Sequence, residues 1–212
     1  MSAATRRAIE RVAHSIHRRG LTHGRTGNLA VRDGDRVLLT PTGISLADIE
    51  ADQLSVVALD GTHIEGPKPT KEAFLHVAML RVRPDLNAVV HTHSVYAAAV
   101  SCLADVDADD PIPPLTAYYG MRVGTLRMLP YFAPGDRAAT TAVEDAARVT
   151  HALLLRNHGP VVAGVDLDSA VDALEELEHT AQLFFLTRGL ATAPLTPAQL
   201  QSFAAPSERT PS

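Results

Sequence analysis

His91-Thr92-His93 follows the apolar run Ala88-Val89-Val90. Successive residues of a strand point to opposite sides, so positions i and i+2 share a face at a separation one metal ion can bridge. Such a pair is either two metal ligands or two incidental surface histidines, and further ligands decide between these. His158 sits in Arg156-Asn157-His158-Gly159-Pro160, between the apolar runs Ala152-Leu153-Leu154-Leu155 and Val161-Val162-Ala163. It is a third ligand held in a tight connection between two strands, or a turn histidine bonded to its own backbone. Glu72 lies in Gly66-Pro67-Lys68-Pro69-Thr70-Lys71-Glu72-Ala73-Phe74-Leu75-His76. The prolines exclude a helix before Thr70, and Thr70 is a suitable N-cap, so Glu72 is expected in the first turn of a helix, where the dipole favours its ionised form. It is an acid/base group or a plain dipole-complementing carboxylate. His76, one turn on, reads as a satisfied core histidine.

Three histidines and a carboxylate would give zinc a nitrogen-rich set in which one position can open for substrate. Two other arrangements built on His-x-His lose ground on the flanking residues. A cupin wants a glutamate three or four residues downstream, and a lactamase-type metallo-hydrolase wants an Asp-His pair, whereas Ser94-Val95-Tyr96-Ala97-Ala98 supplies neither. Three turns add a second theme: Gly24-Arg25-Thr26-Gly27-Asn28, Pro41-Thr42-Gly43 and Pro69-Thr70-Lys71. Each offers backbone N–H groups, hydroxyls or an amide, the parts from which anion nests and helix N-termini bind phosphate. Singly each is an ordinary turn; jointly, around a metal, they point to a phosphorylated ligand.

The elements that must position these groups alternate between helix and strand. A first helix is expected from about Thr5 to Arg19, since Ile9, Val12, Ala13 and Ile16 recur at helical spacing and Gly20 can end it. Leu29–Val31 and Arg36–Thr40 read as a hairpin around Asp33-Gly34-Asp35, and Leu54–Leu59 as another strand. Then come the Glu72 helix, the His91 strand and a small-residue helix from Tyr96 to Leu103. Asp105–Pro114 is an acidic, proline-rich loop, with strands expected near Met121–Thr125 and Met128–Pro130. A helix from about Arg137 to Thr150 leads to the strand pair around His158, and a last long helix runs from Ser169 to Arg188 with Glu175, Glu176 and Glu178 on a solvated face. The expected architecture is α/β: a single three-layer αβα domain over residues 1–192 with a mainly antiparallel central sheet, and a loosely attached tail over 193–212.

The chain has 212 residues, 46% of them hydrophobic and 20% charged, enough for one substantial core. The net charge of −5 gives no source for general attraction to nucleic acid. Cys102, the sole cysteine, cannot form an internal disulfide and is expected to be buried packing beside Val100 and Leu103. Met1–Arg19 has five arginines and no apolar run of signal-peptide type, and no segment approaches the roughly 20 apolar residues of a membrane span. A cytoplasmic protein without membrane or nucleic-acid partners is expected.

From about Arg11 to Gly189 the chain resembles the class II aldolase and adducin head-domain family, typified by L-fuculose-1-phosphate aldolase. The resemblance rests on Thr26-Gly27-Asn28-Leu29, Thr40-Pro41-Thr42-Gly43, the Glu72 helix start with Phe74 and His76, Ala88–His93, and Asn157-His158-Gly159. It is more similar still to the 3-oxo-tetronate 4-phosphate decarboxylase branch, through Lys68-Pro69-Thr70-Lys71-Glu72, Val100-Ser101-Cys102-Leu103, Pro130-Tyr131-Phe132, Pro134-Gly135-Asp136, Asn157–Val162 and Glu175-Glu176-Leu177-Glu178.

The resemblance implies that His91, His93 and His158 ligate zinc, with cobalt or manganese as substitutes. It implies Glu72 as the acid/base that also ligates the metal in the empty enzyme, and Asn28, Thr42, Gly43 and Thr70 as holders of the substrate phosphate. The family's aldolases place a serine where this chain has Lys71, which would then supply positive charge to the phosphate or carboxylate. Tyr118 or Tyr119 occupies the region of a catalytic tyrosine that reaches a neighbouring subunit's site, with Tyr118 preferred by spacing. A homotetramer with active sites at subunit boundaries is implied. The implied reaction is zinc-dependent decarboxylation of 3-oxo-tetronate 4-phosphate to dihydroxyacetone phosphate through an enediolate on the metal. The same scaffold serves a sugar-phosphate aldolase or epimerase, the second reading, and a non-catalytic adducin-like binding domain, the third.

Overall fold

A computed structural model of the chain describes residues 2–204. Helix α1 (Ala3–Arg18) forms where the periodicity predicts it: Ile9, Val12, Ala13 and Ile16 are buried, and the Thr5 N–H donates to the Ser2 hydroxyl cap at 3.1 Å. Strands β1 (Asn28–Asp33) and β2 (Arg36–Leu39) make the expected hairpin, with Gly34 at φ 66°, a left-handed conformation that suits glycine. After β3 (Ser55–Ala58) comes β4 (His63–Glu65), an exposed three-residue edge strand that carries no apolar alternation and was not legible in the sequence.

Helix α2 (Ala73–Val82), strand β5 (Ala88–His91) and helix α3 (Val95–Ser101) follow. Beyond the acidic loop lie α4 (Ala117–Arg122), β6 (Leu126–Leu129), α5 (Ala139–Ala147), β7 (Ala152–Leu155), β8 (Gly159–Gly164), α6 (Leu167–Leu186) and α7 (Pro197–Ala204). The eight strands form one sheet in the order β4-β3-β2-β1-β5-β8-β7-β6, with every neighbouring pair antiparallel except β6 and β7. Period-two alternation sends Leu29, Leu38, Val90, Leu154 and Val162 to one face, packed with α1, α3, α4 and α6. Ala30, Leu39, Val89, Leu153 and Val161 go to the other, under α2 and α5. The three-layer α/β architecture with a mainly antiparallel sheet is therefore as expected.

Four local expectations are corrected. Met121 and Arg122 belong to helix α4 rather than to a strand: Thr116 caps it by accepting the Tyr119 N–H at 3.0 Å, and Tyr119 and Val123, four apart, both face the core. Glu72 stands at the N-cap position of α2, one residue before the helix, without capping it; Thr70 instead accepts the Glu72 N–H on its hydroxyl at 3.3 Å and the Ala73 N–H on its carbonyl at 3.1 Å. Cys102 is exposed, because it follows the last turn of α3 while Val100 and Ser101 take the inward positions. The glutamates of α6 are not simply solvated. Glu178 accepts the N–H groups of Tyr96 and Ala97, each at 2.8 Å, and Glu176 accepts the Thr116 hydroxyl at 2.7 Å.

Within the segment read as a tail, α7 lies against α4. The Leu195 N–H donates to the Pro114 carbonyl at 2.9 Å, and a Cβ on Gly120 would come within 2.6 Å of Leu200. The remainder of that segment, 205–212, lies outside the described residues.

Candidate active site

Strand β5 ends at His91, which is fully buried. Its Nδ1–H donates to the Pro160 carbonyl at 2.8 Å, which fixes the tautomer and turns the Nε2 lone pair into the site. That Nε2 is buried, makes no hydrogen bond and lies 3.4 Å from Glu72 Oε2. His93 follows on the loop entering α3, whose second and third N–H groups are held by Glu178, so the loop is tied to the long α6 helix. His158 hangs from the β7–β8 turn. There Asn157 adopts φ 55°, the Asn157 N–H donates to the Ser101 carbonyl at 3.1 Å, and the His158 N–H donates to the Ser101 hydroxyl at 3.2 Å. Gly159 admits no side chain: a Cβ would stand 2.3 Å from the Thr92 carbonyl oxygen. The turn thus presses against the His91–His93 segment, and the three histidines meet.

The His93 and His158 Nε2 atoms are 3.0 Å apart, His158 Nε2 is 3.3 Å from Glu72 Oε1, and one ring nitrogen from each of the three histidines lies within 4.8 Å of the other two. Burial, then neighbouring imidazoles, lower the pKa of His93 to about 4, and burial followed by His91 lowers that of His158. These rings are therefore neutral near pH 7. Burial alone would raise the Glu72 pKa, but His91, the Asn28 hydrogen bond, His158 and His76 together outweigh it and hold the carboxyl below its usual range.

Imidazole nitrogens and a carboxylate this close to one another need a proton or a cation between them to offset the repulsion of their lone pairs. An edge of about 3.3 Å is what a tetrahedral ion with Zn–N bonds of about 2.0–2.1 Å requires. The donor set fits a divalent metal.

Asn28 holds Glu72 from the other side. Its Nδ2 donates to Glu72 Oε2 at 2.8 Å, and its Oδ1 accepts from His76. A cavity of about 470 Å³ opens in front of these groups. Of the residues read from the sequence, Asn28, Thr42, Gly43, Thr70, Lys71, Glu72, His93 and His158 all line it, while His91 sits buried beneath. Tyr118 is not among them. It is 58% exposed on α4 with the Arg122 guanidinium 5.6 Å from its ring, whereas Tyr119 is in the core with its hydroxyl donating to the Ile112 carbonyl at 3.4 Å. Arg25, Tyr131 and Phe132 also line the cavity and were given no role from the sequence, although the turn and the Pro-Tyr-Phe triplet that contain them stood out.

Comparison with known proteins agrees with this geometry. The profile of the Class II Aldolase and Adducin N-terminal domain matches residues 7–185. A 3-oxo-tetronate 4-phosphate decarboxylase from Haemophilus influenzae is 43% identical over 199 residues, covering 93% of this chain and 95% of that protein. An L-fuculose phosphate aldolase from Methanococcus maripaludis is 32% identical over 180 residues, covering 85% of this chain and 96% of that protein. Among solved structures, Escherichia coli YgbL, whose assignment is left open between aldolase, epimerase and decarboxylase, superimposes with a TM-score of 0.92 at 37% identity, over 96% of this chain and 99% of its own. On sequence, fold and match length, the chain belongs to the class II aldolase and adducin N-terminal domain family.

Proposed function

We propose that this protein is a metal-dependent carboxy-lyase that converts 3-oxo-tetronate 4-phosphate into dihydroxyacetone phosphate and carbon dioxide. The observation that carries this reading over an aldolase is the 43% identity, across nearly the whole of both chains, to a 3-oxo-tetronate 4-phosphate decarboxylase, against 32%, 36% and 34% to three fuculose phosphate aldolases.

His91, His93 and His158 would hold the metal, zinc or in its place cobalt or manganese, with Glu72 beside them. Bound there, the ion would polarise the substrate's 3-carbonyl and accept the charge that develops as the carboxylate leaves. The chain's own groups do the rest. The turns around Thr42-Gly43 and Thr70, with the remaining N–H of Asn28, bind the phosphate by N–H and hydroxyl donation. Lys71, at the exposed rim, places an ammonium beside the substrate's second anionic group. When the C1–C2 bond breaks, its electron pair stays with the organic fragment, and C2 must then take up one proton. Glu72, ionised in the resting site and set between the metal ligands and the cavity, takes a proton from water and passes it to C2. Tyr118 does not line its own cavity, so as a proton-transferring tyrosine it would have to serve a neighbouring subunit's site. That supports an assembly, proposed as a homotetramer, with sites at subunit boundaries. The single cysteine suits the reducing cytoplasm.

The test is a coupled assay for dihydroxyacetone phosphate with 3-oxo-tetronate 4-phosphate beside L-fuculose 1-phosphate. Product from the oxo acid alone is expected; cleavage of the sugar phosphate in preference to it would assign an aldolase instead.

A further inference from the structure

His76 is fully buried one turn along α2 from Glu72, and it is not one of the three clustered histidines. Its Nε2 bonds to Asn28 Oδ1, and Asn28 Nδ2 donates to Glu72 Oε2 at 2.8 Å. Chemistry fixes the direction of this chain. An ionised carboxylate only accepts, so the amide nitrogen of Asn28 must be the end facing Glu72. The amide oxygen is left facing His76 and also only accepts, so His76 must carry its proton on Nε2. Its Nδ1 is then a bare lone pair, in keeping with a nitrogen that is buried without a hydrogen-bond partner.

We propose that His76 is a positioning residue for Glu72. Holding a proton on Nε2, it locks the Asn28 amide in the one orientation that donates to Glu72 Oε2. This leaves Oε1, 3.3 Å from His158 Nε2, as the oxygen that exchanges a proton with substrate. The inference rests on Glu72 being the acid/base of the proposed reaction. Without a donor at position 76, the amide is free to turn over and set its oxygen against the carboxylate, where two acceptors repel. All three side chains are buried, so bulk water does not replace the lost bond. Burial also drives the His76 pKa to about 3, which keeps the ring neutral and its single proton committed to Asn28.

Two measurements test this. In the full-length protein labelled with 15N-histidine, the His76 signals, identified by their loss in His76→Gln, are expected to show the neutral Nε2–H tautomer between pH 6 and 8. The Nδ1–H tautomer or an imidazolium there would overturn the inference. In steady-state decarboxylation, His76→Leu is expected to lower kcat about ten- to a hundredfold with KM little changed. His76→Gln, whose amide can donate from nearly the same place, should restore most of the rate. An equal loss in both variants at equal melting temperature, or no loss in His76→Leu, would also overturn it. If both variants fail to fold, the wild-type tautomer decides, with its signals assigned by through-bond connectivity. Wild-type protein that leaves the oxo acid untouched would instead sink the proposed function, a result distinct from the tautomer.

Discussion

Glu72 has two oxygens with different neighbours: Oε2 takes the Asn28 N–H at 2.8 Å and lies 3.4 Å from His91, while Oε1 faces His158 at 3.3 Å. Under the proposed function, a carboxylate so placed serves proton transfer more than stability. Glu72→Gln should cost about a thousandfold or more in kcat, within the range general acid–base catalysis supplies, while leaving a folded protein that binds metal through three histidines. His93→Ala should instead release the metal, read as zinc content after gel filtration. The buried, neutral His76 also sets a pH dependence. Its folded pKa of about 3 lies below the ordinary 6.5, so the unfolded chain takes up the proton first as pH falls. Its contribution is fully present above about pH 6.5 and is lost progressively toward pH 3. The depressed Glu72 acts in the same direction, though at lower pH. Urea melts of metal-free protein should show stability falling from pH 7 to pH 4, with a shallower fall in His76→Gln; equal slopes would contradict this. The histidines and Glu72 were legible in the sequence because their spacing and their flanking glycines and prolines are local signals. The Asn28–Glu72–His76 chain was not, because it joins positions 44 and 48 residues apart.

At the scale of elements, the site depends on how three chain segments end. β5 carries His91 and stops; α3 starts just after His93; the β7–β8 turn delivers His158. Helix α3 has only seven residues and no side-chain cap from Ser94, so Glu178 of α6, accepting from Tyr96 and Ala97, replaces that cap with a charge at the positive end of the helix. Glu178→Gln should lower stability by about 1 kcal/mol and weaken metal binding, since the His93 loop loses its anchor; unchanged zinc affinity would show that the loop is held otherwise. Gly159→Ala forces a methyl against the Thr92 carbonyl oxygen, and a cost of about 1–3 kcal/mol is expected, together with loss of metal. Helical and strand periodicity made α1, the β1–β2 hairpin and the long α6 helix readable. Helix α4 was misread as strand because its local apolar run fits either period and only packing of Tyr119 and Val123 against the core decides. Edge strand β4 had no buried face to advertise it.

In the whole molecule, one sheet buries two separate cores and leaves the connections near the β5 and β7 ends to build the cavity. Alternation and the helix–strand order disclosed that plan, but nothing in the order of elements shows which way an exposed side chain such as Tyr118 points. The placement of Tyr118 outside its own cavity leads to a prediction about assembly. Mixed oligomers refolded from Glu72→Gln and Tyr118→Phe subunits should recover activity well above either parent, because some sites then combine an intact Glu72 with an intact Tyr118 from a neighbour. No recovery would place both residues in one subunit's site or remove Tyr118 from the chemistry. The central claim is that metal held by the three histidines and a proton moved by Glu72 together decarboxylate the oxo acid. Its most direct test is carbon dioxide release from 3-oxo-tetronate 4-phosphate by the protein as isolated, after chelation, and after zinc is restored, with Glu72→Gln in parallel. Release that chelation abolishes, zinc restores and the variant lacks even when zinc-loaded is the predicted result; release that survives chelation, or that Glu72→Gln sustains at the wild-type rate, would contradict the account.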